Sequence, residues 1–139
     1  MFLLDTNVVS ELRKARGNKA HPGVTRWAGS VPAASLFLSV ITVLELEQGE
    51  LLVRRRDPGQ ARLLRTWIDD YVLPSFAGRI LSIDVAVAQR CAALHIPDPR
   101  SERDALIAAT ALVHGMTVVT RNVDDFAGPG VSTLNPWEA

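Results

Sequence analysis

The sequence predicts an α/β domain with a mostly parallel central sheet. Short apolar runs, typical of buried strands, alternate with longer segments in which apolar residues recur at helical spacing. Residues that favour turns, chiefly Gly, Pro, Asn and Asp, separate these segments. Strands that alternate with helices in this way indicate a layered α/β domain, in which helices connect the parallel strands.

The first strand is expected at residues 2–4, which form a short apolar run. A helix follows from residue 6 to about residue 16, because Gly17-Asn18 is a typical C-terminal signal. A short helix over 22–28 is expected next. Pro22 suits its first position, since the missing N–H of proline has no helical partner there in any case.

The second strand is expected at residues 36–39, another apolar run. The helix after it covers about 42–56 and stops at the turn Asp57-Pro58-Gly59. The next helix covers about 60–72, because its apolar residues recur every three or four positions. Pro74 and Gly78 bracket its end.

The third strand is expected at residues 79–83, and a helix over 85–94 follows it. The last helix covers 101–114 and ends at Gly115. A fourth strand is expected at 117–120 and a candidate fifth at 131–134. Since no internal repeat or linker interrupts this order, residues 1–139 are expected to form a single domain.

Composition and charge limit the function classes. The 15 basic and 15 acidic residues cancel, so the net charge gives no sign of nucleic-acid binding. Cys91 is the only cysteine, which rules out an internal disulfide and favours a reducing cytoplasm. No signal peptide is expected, because Asp5 comes too early for an apolar h-region and no basic n-region precedes it. No membrane-spanning helix is expected either, because Gly29 and Pro32 interrupt the long uncharged stretch around them.

Three acidic residues adjoin apolar runs. Asp5 follows the first strand, Glu45 lies early in the helix after the second, and Asp104 begins the helix that leads to the fourth. Ligands of parallel sheets bind beyond the carboxyl ends of the strands, so these acids are expected to meet Arg121 and Asn122 there. Two carboxylates ~4 Å apart repel by roughly 4 kcal/mol at an effective dielectric constant of about 20, a penalty that a cation removes.

The candidate ligands are all oxygens, which suits Mg²⁺ or Mn²⁺ and does not suit Zn²⁺. His21, His95 and His114 are expected to be isolated. Oxygen-liganded sites of this kind carry out phosphoryl chemistry, in which the cation lowers the pKa of an attacking water. The sequence has neither a G-x-x-x-x-G-K nor a G-x-G-x-x-G loop, which favours a phosphodiester hydrolase over a kinase or ATPase.

Structural interpretations of the same residues stand beside the functional one. Asp5 has the position of an N-cap for the helix that follows it. Ser101 and Asp104 have the spacing of a capping box, although Asp104 also shares a face with apolar residues and is expected to point toward the protein. Asn122 is placed to cap a short turn, with Asp125 three residues later.

Several other residues are expected to be structural. Glu47 and Glu50 belong to a solvated helix face. Trp27, Trp67 and Trp137 are interpreted as contacts of the core or of a dimer. No surface on which RNA bases could stack is therefore visible in the sequence.

The chain as a whole resembles the PIN-domain ribonucleases, specifically the VapC-type toxins of bacterial toxin–antitoxin pairs and their FitB-type subset. The order and spacing of five segments carry this resemblance. They are 3–11 (LLDTNVVSE), 39–46 (SVITVLEL), 104–111 (DALIAATA), 119–126 (VTRNVDDF) and 135–137 (NPW).

The resemblance implies a three-layer α/β/α sandwich and a Mg²⁺ site, with Mn²⁺ as a substitute. Asp5 and Asp104 are then the main ligands, and Glu45 completes the acidic trio directly or through water. The family often has a fourth acid where this chain has Asn122, which can position a water but adds no charge. Asp125 is preferred to Asp124 as the residue that assists.

The expected reaction is cleavage of RNA phosphodiesters by water. Arg121 is placed beside the metal site, where it could hold the scissile phosphate, and Thr6 and Asn7 are assigned to substrate binding. The resemblance also implies a homodimer and a cognate VapB-type antitoxin, through which the toxin joins operator DNA indirectly. The alternative function is a catalytically weak scaffold that acts mainly as a corepressor with its DNA-binding antitoxin.

Overall fold

The computed structural model describes residues 1–138, which contain a five-stranded sheet. The strands are β1 (Phe2–Leu4), β2 (Leu36–Ser39), β3 (Ile80–Leu81), β4 (Thr117–Val119) and β5 (Thr133–Leu134). They lie in the order β3-β2-β1-β4-β5, and all four pairings are parallel. The predicted α/β class and the parallel character of the sheet are confirmed.

Helices follow each of the first three strands or the loops after them. They are α1 (Thr6–Arg13), α2 (Pro22–Gly29), α3 (Val40–Arg54), α4 (Pro58–Trp67), α5 (Leu73–Ser75), α6 (Val85–Leu94) and α7 (Glu102–His114). Short turns of 3-10 helix cover Lys14–Gly17, Ala33–Ser35 and Val123–Phe126, and a π-helical turn covers Ile68–Val72. Within residues 1–138, no helix has the length and apolar content needed to cross a membrane.

The sheet separates two hydrophobic cores, because successive side chains of a strand point to opposite faces. Leu3 of the central strand packs in one core with buried residues of α6 and α7, such as Val87 and Ile107. Leu4 packs in the other core with buried residues of α1 and α2, such as Val8 and Trp27. Helices therefore cover both faces, and the expected three-layer α/β/α sandwich is confirmed.

Aspartate and serine side chains start four of the helices, and a glycine ends another. Asp5, Ser39, Asp57 and Asp84 each accept a hydrogen bond from a backbone N–H in the first turn of the helix that follows. Gly115 follows α7 in the left-handed conformation, with φ 67°. Three of these caps lie directly after a strand or its loop, so they fix where the chain turns from sheet to helix.

Some predicted boundaries were wrong. α3 begins at Val40, two residues early, because Ser39 caps it at the very end of β2. The helix expected over 60–72 begins at Pro58 and passes into the π turn 68–72. Pro74 does not end this helical stretch, since it occupies the first turn of α5, where no N–H is needed.

The prediction that Glu50 is solvated was also wrong, because the side chain is only 1% exposed. α4 covers this part of α3 and brings Arg65 within 4.0 Å of the Glu50 carboxylate, while Arg54 forms a salt bridge of 2.5 Å with it. Arg65 also binds Glu47 and Asp69. The buried charge is compensated by cations from two helices, a contact that the pattern of α3 alone does not reveal.

Candidate functional site

The carboxyl ends of β1 and β4 open into an acidic cleft of about 520 Å³. Eight of its lining residues are those singled out from the sequence: Asp5, Thr6, Asn7, Glu45, Asp104, Arg121, Asn122 and Asp125. Four further residues line it: Ser10, Glu11, Lys14 and Trp137. Four stretches that are distant in sequence therefore meet where ligands of parallel sheets usually bind.

Asp5 both caps α1 and lines the cleft, so its two interpretations are compatible. Its Oδ1 accepts the Thr6 N–H at 2.8 Å, and its Oδ2 accepts the Thr120 hydroxyl at 2.9 Å. The residue is only 8% exposed. Burial raises its pKa, the bonds from Thr120 and Thr6 oppose the rise, and the charges of Glu45 and Asp125 add to it.

Glu45 reaches the cleft from α3. Since α3 starts at Val40, Glu45 lies in its second turn, on the side that faces α1. The Thr6 hydroxyl donates a hydrogen bond of 2.6 Å to its Oε1. Arg103 of α7 lies 3.7 Å from its Oε2 and offsets part of its charge. Glu45 is thereby oriented by one neighbour and partly neutralised by another.

Asp104 lies in the first turn of α7. The predicted capping box is not formed, because the Ser101 side chain makes no hydrogen bond to the backbone of this turn. Asp104 lines the cleft instead. Its pKa is raised to about 6, first by burial and then by the charges of Asp5, Asp125 and Glu45, with Ser101 opposing the rise.

The turn after β4 brings Asn122 and Asp125 to the cleft. A 3-10 turn does begin after Asn122, but the Asn122 side chain makes no cap hydrogen bond, so the amide is not engaged there. The backbone is held instead, since the Asn122 N–H donates to the Thr120 hydroxyl oxygen at 3.0 Å. Asp125 lines the cleft, whereas Asp124 is exposed and is absent from its lining.

The charge of the cleft is unbalanced. Five carboxylates line it, those of Asp5, Glu11, Glu45, Asp104 and Asp125, against the two cationic side chains of Lys14 and Arg121. Carboxylates that share a cleft raise each other's pKa values, and this effect adds to that of burial for Asp5 and Asp104. The oxygen-only donor set and the surplus negative charge fit a hard divalent cation.

Four of the lining residues, Ser10, Glu11, Lys14 and Trp137, were not assigned to the predicted metal and substrate site. Ser10 and Glu11 follow Thr6 and Asn7 at a spacing of four on α1, so the polar stripe of this helix was a usable signal. Trp137 was expected in the core or at a dimer contact; it does pack against one core, and it also borders the cleft. The position of Trp137 at the cleft was harder to predict, because only the packing of the C-terminal segment brings this residue to the cleft.

The prediction that His95 is isolated was wrong. His95, Cys91 and Glu102 lie close enough to share a metal ion, with the His95 Nε2 3.3 Å from a Glu102 oxygen. However, the Arg100 N–H donates to the His95 Nδ1 at 3.0 Å. A neutral imidazole therefore carries its proton on Nε2, the atom that faces Cys91 and Glu102, and cannot ligate through it. This cluster ties the loop after α6 to α7.

The matching relatives span essentially the whole chain. The family model of the PIN domain matches residues 2–128. A VapC ribonuclease of Sinorhizobium fredii is 38% identical, and the alignment covers 99% of both chains. Toxin FitB of Neisseria gonorrhoeae is 37% identical, again over 99% of both chains.

The fold has a close counterpart among solved structures. A structure of FitAB bound to an IR36 DNA fragment aligns with a TM-score of 0.86 and 35% identity, covering 99% of this chain and 96% of the other. The family match therefore rests on sequence and on fold at once. The chain belongs to the PIN-domain family.

Proposed function

We propose that this protein is the ribonuclease toxin of a toxin–antitoxin pair and that the acidic cleft is its active site. The relatives named as a VapC ribonuclease and a FitB toxin support the class of activity. The observation that carries the assignment of the site is the convergence of Asp5, Glu45 and Asp104 at one cleft. RNA as the substrate implies that the enzyme works in the cytoplasm.

The cation of this site is Mg²⁺, with Mn²⁺ as a substitute, and Asp5, Asp104 and Glu45 hold it. Two features of these side chains support the choice. Every donor is an oxygen, and the pKa of Asp104 is raised to about 6, first by burial and then by the charges of Asp5, Asp125 and Glu45, which a bound cation would offset. When bound, the cation lowers the pKa of the attacking water and offsets charge on the scissile phosphate.

The other residues of the cleft orient the reactants. Arg121 is exposed at the rim and carries a planar guanidinium suited to a phosphodiester. Thr6 holds Glu45 through its hydroxyl, and Asn7 donates to Thr120 at 3.4 Å, which supports the hydroxyl that binds Asp5. Asp125 is assigned as the assisting acid, because it borders the cleft and its neighbour Asp124 does not.

The partner is a VapB-type antitoxin, and operator DNA is reached only through it. FitB, which this chain resembles over its full length, occurs in a FitAB complex bound to DNA. The resemblance to VapC-type toxins supports a homodimer as the active form.

The test is cleavage of a structured RNA by purified toxin with Mg²⁺, compared with Asp5→Asn and Asp104→Asn. We expect both substitutions to lower the rate by at least about 100-fold, because each removes a charge that balances the cation. Asp124→Asn, an exposed acid two residues past Asn122 and outside the cleft, is the matched control and should stay within about twofold of the parent protein.

Equal residual cleavage in the parent protein and in Asp5→Asn would identify a contaminating nuclease and overturn the assignment. Calorimetry supplies an independent readout, since Mg²⁺ uptake should be lost in both variants. Arg121→Ala should slow cleavage and leave Mg²⁺ affinity nearly unchanged, because the guanidinium acts on the phosphate.

A second candidate function is that of a corepressor with weak catalysis, and Asn122 is the observation that favours it. The residue stands in the cleft where an acid often stands in this family, and an amide contributes no charge. Asn122→Asp discriminates between the two. A rise in cleavage of more than about tenfold would indicate a site weakened by the amide, whereas an unchanged rate would indicate that Asn122 is part of an intact enzyme.

A further inference from the structure

Trp137 is the only aromatic side chain among the residues that line the acidic cleft, all of which lie within the described 1–138. Its ring is half-buried, so part of it packs against the protein and part borders the opening. The other two tryptophans are elsewhere: Trp27 lies in the core and Trp67 borders a different groove. An aromatic surface at the entrance of a charged cleft is a feature of sites that hold single-stranded nucleic acid.

The C-terminal segment is fixed rather than loose. The Trp137 N–H donates to the Asn135 side-chain oxygen at 2.9 Å, and the Asn135 amide donates to the Arg121 carbonyl at 3.2 Å. On the other side, the Pro136 carbonyl packs so closely on Gly23 that a Cβ at that position would lie 2.7 Å from it. The indole is therefore held in place before any ligand arrives.

Arg121 and Trp137 form a pair. The Arg121 guanidinium carbon lies 5.3 Å from the centre of the indole ring, within the range of a cation–π contact. Within the described residues, the guanidinium donates no hydrogen bond to a protein acceptor, so its N–H groups are available. The ring thus orients a cation whose donors face the same cleft as the carboxylates.

We propose that Trp137 stacks on a base of the RNA strand while it positions Arg121 against the neighbouring phosphate. This inference rests on the proposed function, because it assigns a substrate contact to the same cleft. Proteins bind single strands by stacking bases on aromatic rings and by placing cations along the phosphate backbone. Here Trp137 supplies the ring and Arg121 supplies the cation. Stacking tolerates any base, so Trp137 contributes more to the affinity and placement of the RNA than to the selection of its sequence.

The test is binding of a fluorescein-labelled RNA decamer in an Asp5→Asn background with Mg²⁺. That substitution blocks cleavage under the proposed function and removes one carboxylate that repels phosphate. Adding Trp137→Leu should weaken binding by about 5- to 100-fold, whereas Trp137→Phe should stay within about threefold of the background, because the phenyl ring still stacks. Trp67→Phe, outside the cleft, is the matched control and should have no effect.

Tryptophan emission gives a second readout that does not require a change at Trp137. In the Trp67→Phe protein the remaining indoles are the core residue Trp27 and Trp137, so quenching by saturating RNA reports Trp137. Quenching below about 10%, or equal RNA affinity in Trp137→Leu and its parent, would overturn the proposal.

Failure of this inference is distinguishable from failure of the proposed function. If unmodified protein cleaves RNA and Trp137→Leu binds it normally, only the stacking role is lost. If RNA quenches Trp137 but the unmodified protein cleaves nothing with Mg²⁺, the stacking role holds and the nuclease assignment of this chain fails. Circular dichroism of each variant establishes that the fold is retained.

Discussion

Asp104→Asn should stabilise the metal-free protein at neutral pH. The pKa of Asp104 is about 6 in the folded protein, against an ordinary value of 3.8. Above pH 6 its carboxylate is ionised in the folded and the unfolded chain alike, and its burial near Asp5, Asp125 and Glu45 then costs folding free energy. An amide at this position carries no charge and removes that cost.

The magnitude follows from the shift. One pKa unit corresponds to about 1.4 kcal/mol, so the full shift corresponds to about 3 kcal/mol. Asp104 is only half-buried, and water screens part of this energy. Asn also loses the favourable interaction of a carboxylate with the first turn of α7. We therefore expect a net gain of roughly 1–2 kcal/mol at pH 7.5, or roughly 4–8 °C in Tm.

The gain has a defined pH window. A raised pKa means that the folded state binds the proton more tightly, so the contribution of Asp104 to stability is fully present below pH 3.8 and is lost as pH rises through about 6. The difference between Asp104→Asn and the parent protein should thus be near zero at pH 4, grow between pH 4 and 6, and level off above that.

Urea unfolding with EDTA at pH 4.5 and 7.5 measures this difference, with the exposed Asp124→Asn as the control. Adding Mg²⁺ at pH 7.5 should reverse the order, because the cation neutralises the parent cleft and binds the variant more weakly. A variant that is less stable than its parent at pH 7.5 in EDTA, or equally altered at both pH values, would refute the electrostatic reasoning.

Two further predictions concern groups that support the cleft. Thr120→Val removes the hydroxyl that donates to Asp5, so the pKa of Asp5 should rise further and Mg²⁺ binding by calorimetry should weaken about tenfold at pH 7, with Thr120→Ser close to normal. Gly23→Ala should lower the free energy of unfolding by about 1–3 kcal/mol, because a Cβ there meets the Pro136 carbonyl. Gly29→Ala, on the same helix with open space around it, should not destabilise; equal effects of the two glycine changes would contradict the packing argument.

Much of the fold was predictable because its signals are local. The strand at 36–39 and the helix at 85–94 match the structure residue for residue, since an apolar run or a regular period is complete within each segment. The left-handed Gly115 ended α7 where the sequence indicated. α3 starts earlier than predicted because Ser39, the last residue of a strand, caps it. The apolar pattern by itself does not show the position of this cap.

The composition of the cleft was also largely predictable, for a different reason. In a parallel sheet the carboxyl end of every strand lies at the same edge, so Asp5 and Arg121 were expected at one edge once β1 and β4 were recognised. The pairing of β1 with β4 then makes them neighbours. The family resemblance added the chemical roles, which remain to be tested. The pKa of Asp104 was beyond prediction, because it depends first on the burial of the side chain and then on the nearby charges of Asp5 and Asp125, which only the packed chain defines.

The sequence by itself determined the alternation of strands and helices and the positions of the acids along it, because hydrophobic period, caps and turns act over a few neighbouring residues. Only the tertiary structure decided that Glu50 is buried between arginines of two helices, that His95 meets Glu102, and that Trp137 borders the cleft. The geometry of these contacts follows from the packing of helices, loops and the C-terminal segment together rather than from the pattern of any one segment.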